Sequence, residues 1–228
     1  MQQDIKKELK DRVQSLIEWT PILGNYLLKK KCNMLEEYMY ETFYDQLTGL
    51  YNRKKVIELS KAESLRVARY DYPLSLLMLD VDNFKKINDN YGHLMGDKIL
   101  KEMGSLIKGA VRQMDVPGRY GGDEFILLFP HTPHNKAKIA GEKIGNAVAG
   151  HKFKDYDKNI TVSIGLTDID TAFQSYKNEI IDKISKPGDI NLENKLTNFV
   201  DKLISCADKA LYDAKHAGKN RVCVYGFA

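Results

Sequence analysis

Two acidic side chains follow a pair of glycines near the middle of the chain, in the run Gly121, Gly122, Asp123 and Glu124. An apolar run, residues 125–129, comes directly afterwards, so we predict a tight hairpin with the acids at its tip. Glycines allow positive φ and carry no Cβ, which lets a bulky polyanion lie close to the backbone. Carboxylates beside such an opening predict a metal ion bound together with phosphate.

A second acidic pair, Asp80 and Asp82, follows the short apolar run 74–79, which is typical of a buried strand. Alternation along a strand directs both carboxylates to one side and Val81 to the other. One of the two can therefore face Asp123 if the two strands pair. Mg²⁺ prefers octahedral oxygen ligands, and carboxylates from adjacent strands supply them. The alternative is that the pair only caps the helix that follows.

Five separated motifs resemble those of the GGDEF family of diguanylate cyclases, in the family's order, over about residues 45 to 225. One such motif would be weak support, but five in order are hard to obtain by chance. The motifs are DQLTGLYNR at 45–53, DVDNFKKIND at 80–89, GHLMGD at 92–97, GGDEF at 121–125, and ADKALYDAK at 207–215 with GKNR at 218–221.

The resemblance implies a metal-dependent site formed by Asp80, the Val81 carbonyl and Asp123, holding two Mg²⁺ or Mn²⁺ ions. Glu124 would complete the metal shell. Asp123 is also implied as the acceptor of the substrate proton, although metal activation could make a separate base unnecessary. Asp123 and Glu124 are therefore the expected catalytic residues.

The same resemblance implies where the substrate triphosphate binds. Backbone N–H groups of Phe84 and Lys85 would lie near the β- and γ-phosphates, because a helix N-terminus favours negative charge. Gly122 would let the substrate approach the hairpin. Lys215 and Lys219 would reach the triphosphate from the last helix. Relatives often carry arginine at the second of these positions, so Lys219 lacks bidentate geometry.

Guanine recognition is implied for Asn88 and Asp97, with His93 nearby. An aspartate carboxylate can accept from both N1–H and the exocyclic amine of guanine, an edge that adenine lacks, and the Asn88 amide can add to this. The alternative is that Asn88 and Asp97 cap helices.

A feedback site is also expected. Arg112 and Asp115 match the family's RxxD inhibitory motif, a short distance before Gly121. Arginine can pair with phosphate or guanine while the aspartate accepts from a guanine edge, so the cyclic product is expected to bind there. Arg119 beside the hairpin could contact phosphate, or it could be an ordinary surface residue of a strand.

The resemblance thus implies a diguanylate cyclase that condenses two GTP molecules into cyclic di-GMP and two pyrophosphates. One domain holds one GTP, so two chains are expected to meet about a twofold axis as a homodimer. Two alternatives stay open. One is a silent GGDEF module that serves as a cyclic di-GMP receptor, and the other is a different purine nucleotide or mixed-dinucleotide cyclase.

Composition is ordinary for a globular protein of 228 residues, with 43% hydrophobic and 29% charged residues. The small net charge of +4, with basic residues interspersed among acids, argues against nucleic-acid binding. No apolar stretch reaches the length of a membrane span and the start does not resemble a signal peptide, so we expect a cytoplasmic protein. Cys32, Cys206 and Cys223 are expected to be free, buried thiols.

Hydrophobic periodicity predicts an α+β fold with a βααββαβ core, in which a central antiparallel-type sheet is flanked by helices. The family resemblance implies that this core is similar to those of nucleotidyl cyclases and polymerase palms. Residues 1–44 are predicted to be a helical segment that either packs on its own domain or forms an interchain coiled coil. The resemblance implies that residues 45–228 form the GGDEF domain, with an insertion around 168–197 in which we expect a short helix near 179–184. Helices are predicted at 53–70, 96–112, 134–149 and 199–216, and strands at 74–80, 159–165 and 221–225.

Overall fold

The computed structural model describes residues 26–31, 33–34, 42–173 and 191–226. The chain divides into two compact units, Met1–Phe43 and Tyr44–Ala228. In the first unit, residues 26–31 and 33–34 are helical. The predictions for most of residues 1–44, for Cys32 and for the short helix near 179–184 lie outside the described residues.

The second unit contains six helices and five strands within its described residues. Asn52 begins the first helix as its N-cap, because its side chain accepts a hydrogen bond from the Lys55 N–H at 2.9 Å. In chain order the elements are α1 (Arg53–Tyr70), β1 (Leu74–Val81), α2 (Phe84–Tyr91), α3 (His93–Ala110), β2 (Val116–Gly121), β3 (Glu124–Pro130), α4 (His134–Ala149), β4 (Val162–Asp168), α5 (Ile169–Phe173), α6 (Leu192–His216) and β5 (Val222–Val224).

The five strands form one sheet in the order β2-β3-β1-β4-β5. Every neighbouring pair is antiparallel except β4 and β5, which are parallel. The predicted antiparallel-type sheet is therefore mixed. The reason is the connection: α5 and α6 lie between β4 and β5 in the chain, and a long crossover of this kind lets two strands run in the same direction.

Helices cover both faces of the sheet. β1 lies at its centre and is buried along its whole length. Its side chains alternate between two cores: Leu77 and Leu79 pack with α2, α3 and α4, whereas Leu76 and Met78 pack with α1 and α6. The predicted α+β class is confirmed, and β1 is the strand on which both cores depend.

Three elements begin at least three residues away from the predicted positions. Helix α3 begins at His93 instead of residue 96, because its first turn is exposed and Leu94 at 82% exposure gives no apolar periodicity. Strand β4 covers 162–168 instead of 159–165, since it pairs with β1 from Val162 to Asp168. Helix α6 begins at Leu192 instead of 199 and buries Leu196 in its early turns.

The predictions about membrane spans and about cysteines can be checked for the described residues. None of the helices in that part is both long and apolar enough to cross a lipid bilayer. Cys206 and Cys223 are free thiols, the first buried and the second half-buried.

Gly165 lets the last helix lie directly on the sheet. A Cβ at this position of β4 would lie 2.0 Å from the Ala207 carbonyl oxygen and 2.2 Å from the Leu211 nitrogen, both in the backbone of α6. Backbone atoms cannot move aside as a flexible side chain can. The close approach of α6 to β4 therefore requires glycine.

We predict that Gly165→Ala lowers the free energy of unfolding by about 2–4 kcal/mol, because the added methyl group forces α6 away from β4. Chemical denaturation monitored by circular dichroism measures the change. The control is Gly109→Ala in α3, where a Cβ meets nothing within 4 Å. There alanine is expected to be neutral or stabilising by up to about 1 kcal/mol. Equal effects of the two substitutions would contradict the packing argument.

Candidate active site

The hairpin between β2 and β3 has the predicted glycine turn, and Arg119 holds it in shape. Gly122 has a φ of 38°, in the left-handed region. The Arg119 guanidinium donates from Nε and Nη2 to the Gly122 carbonyl at 2.9 and 2.8 Å. Its Nη1 bonds the Asp45 carboxylate at 3.2 and 3.3 Å. Arg119 thus ties the hairpin to the segment before α1.

The pairing of β1 with β3 brings the two predicted acidic elements together. Asp80 lies directly opposite Glu124 in the register. The Val81 N–H donates to the Asp123 carbonyl at 3.3 Å, which fixes the hairpin tip beside the end of β1. Asp123 and Glu124 are both half-buried. The structure therefore assembles these three carboxylates at one end of the central strand.

Asp80 is a buried carboxylate in contact with a lysine. The Lys215 Nζ lies 2.8 Å from the Asp80 Oδ2, and the two side chains are 37% and 11% exposed. Burial raises the pKa of the Asp80 carboxyl to about 6. The bond from Lys215 acts in the opposite direction, while the negative charges of Asp123 and Glu124 raise the pKa further.

Asp82 has a different role from Asp80. Its carboxylate accepts hydrogen bonds from the Thr161 hydroxyl at 2.6 Å, the Ser163 hydroxyl at 2.7 Å and the Asn220 N–H at 3.1 Å. These bonds join the end of β1 to β4 and to the turn before β5. Of the two candidate carboxylates, Asp80 faces the hairpin, and Asp82 fixes the strand end on which Asp80 sits. Neither side chain caps α2, whose N-cap is Asn83.

The donor set at this end of β1 suits a hard divalent cation. Among the described residues, no three His, Cys, Asp or Glu side chains converge closely enough to hold an ion by themselves. Mg²⁺ is ordinarily bound by one or two carboxylates with the remaining oxygens from phosphate and water, so a complete cage of protein ligands is not needed. The Lys215 ammonium lies beside Asp80, where it supplies the positive charge that a metal ion would otherwise supply. Asp80, Asp123 and the Val81 carbonyl fit the ion that the sequence predicts.

The start of α2 and the end of α6 lie beside this acidic end. Asn83, the residue before α2, has a φ of 59° and accepts a hydrogen bond from the Lys219 Nζ at 2.7 Å. Phe84 is buried in the core, so only its backbone is available for a ligand, and Lys85 is exposed. The structure therefore gathers the predicted triphosphate residues around one end of β1, with Lys215 bound to Asp80.

The residues predicted to recognise guanine lie where α2 packs on α3. The Asn88 Oδ1 is buried and has no hydrogen-bond partner within the described part of the chain. A Cβ on Gly96 would lie 2.0 Å from that oxygen, so glycine leaves the space that the Asn88 amide occupies. Asp97 follows Gly96 on α3 and is exposed, as is His93 at the helix start. Neither Asn88 nor Asp97 is an N-cap, since Asn83 and Gly92 hold those positions, and the capping alternative is wrong.

Arg112 and Asp115 are adjacent, as the RxxD motif requires, but they bond to each other. The Asp115 carboxylate accepts from Arg112 N, Nε and Nη2 at 2.7, 3.2 and 2.8 Å, and Nη2 also donates to the Thr132 hydroxyl at 2.7 Å. The Asp115 side chain is 2% exposed and that of Arg112 is 54% exposed. Beside them lies a cavity of about 350 Å³, also lined by Tyr44, Tyr51 and other residues.

We predict that Asp80→Asn stabilises the metal-free protein above pH 6. The pKa of the carboxyl is higher in the folded state than its ordinary value near 4, so the contribution of this group to stability falls as the pH rises from about 4 to about 6. The asparagine carries no buried charge, and the expected gain at pH 7.5 is about 1–2 kcal/mol, disappearing below pH 4. Urea unfolding in EDTA across this pH range measures it.

Asp82→Asn is the matched control for that measurement. The Asp82 carboxylate accepts three hydrogen bonds, so the amide is expected to lower stability at pH 7.5 by about 1–3 kcal/mol. A loss of stability in Asp80→Asn at pH 7.5 would contradict the assignment of a net unfavourable charge at Asp80.

Comparison with known proteins identifies the family to which this chain is similar. Residues 42–197 match the family described as Diguanylate cyclase, GGDEF domain. The chain is 33% identical over 223 residues to the diguanylate cyclase DgcP of Pseudomonas aeruginosa, covering 97% of this chain and 29% of that protein. It is 32% identical over 209 residues to the uncharacterized protein YhcK of Bacillus subtilis, covering 89% and 52%. The chain thus spans about half or less of the length of these two relatives.

Solved structures agree with the family match. The active GGEEF domain of a diguanylate cyclase from Vibrio cholerae is 30% identical, with a TM-score of 0.62 over 80% of this chain and 100% of that one. The GGDEF domain of DgcB from Caulobacter crescentus, in complex with c-di-GMP, is 27% identical, with a TM-score of 0.64 over 81% and 96%. The family match covers more than half of the chain and includes the hairpin and the end of β1, and we conclude that this chain belongs to the GGDEF-domain family of diguanylate cyclases.

Proposed function

We propose that this chain is a diguanylate cyclase that condenses two GTP molecules into cyclic di-GMP with release of two pyrophosphates. The observation that carries the proposal is the acidic end of β1, where Asp80 is buried beside Asp123 and Glu124 and holds the Lys215 ammonium. A buried carboxylate with two acidic neighbours is unfavourable unless a cation lies close by. Metal-assisted phosphoryl transfer uses carboxylates clustered in this way.

Asp80, the Val81 carbonyl and Asp123 are the proposed ligands of two Mg²⁺ or Mn²⁺ ions, and Glu124 completes the shell. When bound, such ions polarise the α-phosphate and lower the pKa of the 3′-hydroxyl that attacks it. Asp123 is suited to accept the proton of that hydroxyl, since it lies at the hairpin tip and is half-buried.

The triphosphate is proposed to lie across the start of α2. Backbone N–H groups of Phe84 and Lys85 are positioned at the helix N-terminus, whose partial positive charge favours phosphate. Lys215 and Lys219 approach the same place from the end of α6. Gly122 leaves the hairpin backbone open toward the substrate, because a Cβ there would meet nothing within 4 Å.

Guanine is proposed to bind where α2 meets α3. The Asn88 Oδ1, which has no partner within the described residues, is an acceptor that a guanine N–H could satisfy, and the exposed Asp97 carboxylate can accept from N1–H and the exocyclic amine. His93, exposed at the start of α3, is proposed to contribute to the same base site. These groups favour guanine over adenine, which presents no such pair of donors.

Cyclisation of two GTP molecules requires two domains. Each proposed site holds one GTP and supplies one attacking hydroxyl, so the sites of two chains must face each other about a twofold axis. We propose that residues 1–44 control the formation of this homodimer. Product feedback is proposed at Arg112 and Asp115, where the guanidinium is half-exposed beside the 350 Å³ cavity.

We predict that Asp123→Asn reduces cyclic di-GMP formation by about 100-fold or more while the fold survives, because the substitution removes a metal ligand and proton acceptor from a half-buried position. Purified protein is incubated with Mg²⁺ and an equimolar mixture of GTP and ATP, and the products are separated by chromatography. The control is Asp89→Asn, an exposed acid on α2, which is expected to keep normal turnover.

The same assay distinguishes the alternatives. A product containing adenine would identify a mixed-dinucleotide cyclase, and binding of cyclic di-GMP without any product would identify a receptor. Full turnover by Asp123→Asn would reject the assignment of the site.

We predict that Arg112→Gln weakens product inhibition. Loss of the guanidinium should raise the cyclic di-GMP concentration for half-inhibition by about tenfold and leave the initial rate unchanged. Asp115 is unsuitable for this test, since its carboxylate is buried and accepts three bonds from Arg112. Lys101→Gln, an exposed substitution on α3, is the control for charge. Unchanged inhibition in Arg112→Gln would remove the feedback proposal and leave the cyclase proposal intact.

A further inference from the structure

Lys215 occupies the place where a metal ion would bind Asp80. Its Nζ lies 2.8 Å from the Asp80 Oδ2 in a contact between a carboxylate that is 11% exposed and an amine that is 37% exposed. A divalent ion at the same carboxylate would lie about 2.1 Å from its oxygen. An ammonium and a dication within a few ångströms repel strongly in a half-buried site. The two cations therefore compete for Asp80.

Lys215 also neutralises the acidic end of β1 in the absence of ligands. Asp123 and Glu124 add negative charge beside the buried Asp80, and Lys215 is the nearest counter-charge that the structure gives to it. The ammonium thus stabilises an arrangement of carboxylates that would otherwise repel one another. The contact between Lys215 and Asp80 must break before a metal ion binds to Asp80.

A triphosphate offers Lys215 an alternative partner close by. Lys219 lies four residues beyond Lys215, in the turn after α6, and bonds Asn83 at the start of α2; its backbone N–H donates to the Ala214 carbonyl at 3.0 Å. This contact holds the end of α6 beside the place proposed for the phosphates. A phosphate there carries more negative charge than the single carboxylate and can draw the flexible lysine away from Asp80.

We propose that Lys215 is a resident counterion that suppresses metal binding at Asp80 until a nucleoside triphosphate draws it away. The role of the triphosphate in this inference rests on the proposed function, whereas the competition at Asp80 rests on the contact alone. Metal and nucleotide then bind cooperatively, and each raises the affinity for the other by the same factor. Without nucleotide, Lys215 weakens metal binding at Asp80. With nucleotide bound, the same lysine contacts the triphosphate.

The test measures Mn²⁺ binding to the full, nucleotide-free chain from the electron paramagnetic resonance signal of free Mn²⁺. Lys215→Met should bind Mn²⁺ at least about threefold more tightly than the unaltered protein, because the competing charge is gone. Lys215→Arg keeps the charge and should resemble the unaltered protein. Lys209→Met, an exposed substitution on the same helix, should also change nothing. Asp80→Asn should remove the tighter binding when combined with Lys215→Met.

The second measurement adds a GTP analogue that cannot be cleaved between the α- and β-phosphates. In the unaltered protein the analogue should increase Mn²⁺ affinity by a larger factor than it does in Lys215→Met. Equal or weaker Mn²⁺ binding by nucleotide-free, folded Lys215→Met would overturn the inference, whatever the enzymatic result. Tighter Mn²⁺ binding by a chain that makes no cyclic di-GMP would support the competition and reject the cyclase proposal, so the two failures are distinguishable.

Discussion

The antiparallel register of β1 with β3 is the constraint on which the candidate site depends. It sets Asp80 opposite Glu124 and bonds Val81 to the hairpin tip at Asp123. A slip of one residue would turn Asp80 to the opposite face of the sheet and bring a core side chain out in its place. The two cores resist that slip, since Leu77 and Leu79 belong to one and Leu76 and Met78 to the other. Hydrophobic burial on both faces of one strand thus fixes the position of a charged group at its end.

The close packing of helices provides the second half of the site. Gly165 allows α6 to lie on β4, which brings Lys215 and Lys219 over the end of β1. Gly96 allows α3 to approach α2, which confines the Asn88 amide. At Gly165 the absence of a side chain sets the distance between two backbones, and at Gly96 it leaves room for side chains of α2. The charged and polar groups are therefore positioned by rigid elements instead of by loops, which suits a site that must hold a phosphate and a base at a fixed separation.

Sequence patterns predicted most of the elements and the acidic end of β1, because apolar periodicity and glycine turns are local signals. They also placed one carboxylate of the Asp80 and Asp82 pair near Asp123, since only one pairing of two strands was needed, and the family resemblance favoured Asp80. The partners of Arg119, Asp82 and Lys215 were not predicted. Arg119 bonds Asp45, Asp82 bonds Thr161 and Lys215 bonds Asp80, and each pair is far apart in the chain. Such contacts depend on how several elements pack together, which no local pattern encodes. The parallel pairing of β5 was missed for the same reason.

Unsatisfied groups distinguish the proposed substrate site from the proposed feedback site. Burial raises the pKa of Asp80 even though Lys215 contacts it, and Asn88 Oδ1 lacks a partner in the described part of the chain, so a ligand that supplies a divalent cation and an N–H improves both. Ser60 Oγ is also unpaired there, but it lies within α1 away from these charges, and an unpaired atom alone does not mark a site. Arg112 and Asp115 already satisfy each other. A ligand at that pair must replace existing hydrogen bonds, so product binding there gains less free energy than the same contacts would give to an unpaired arginine.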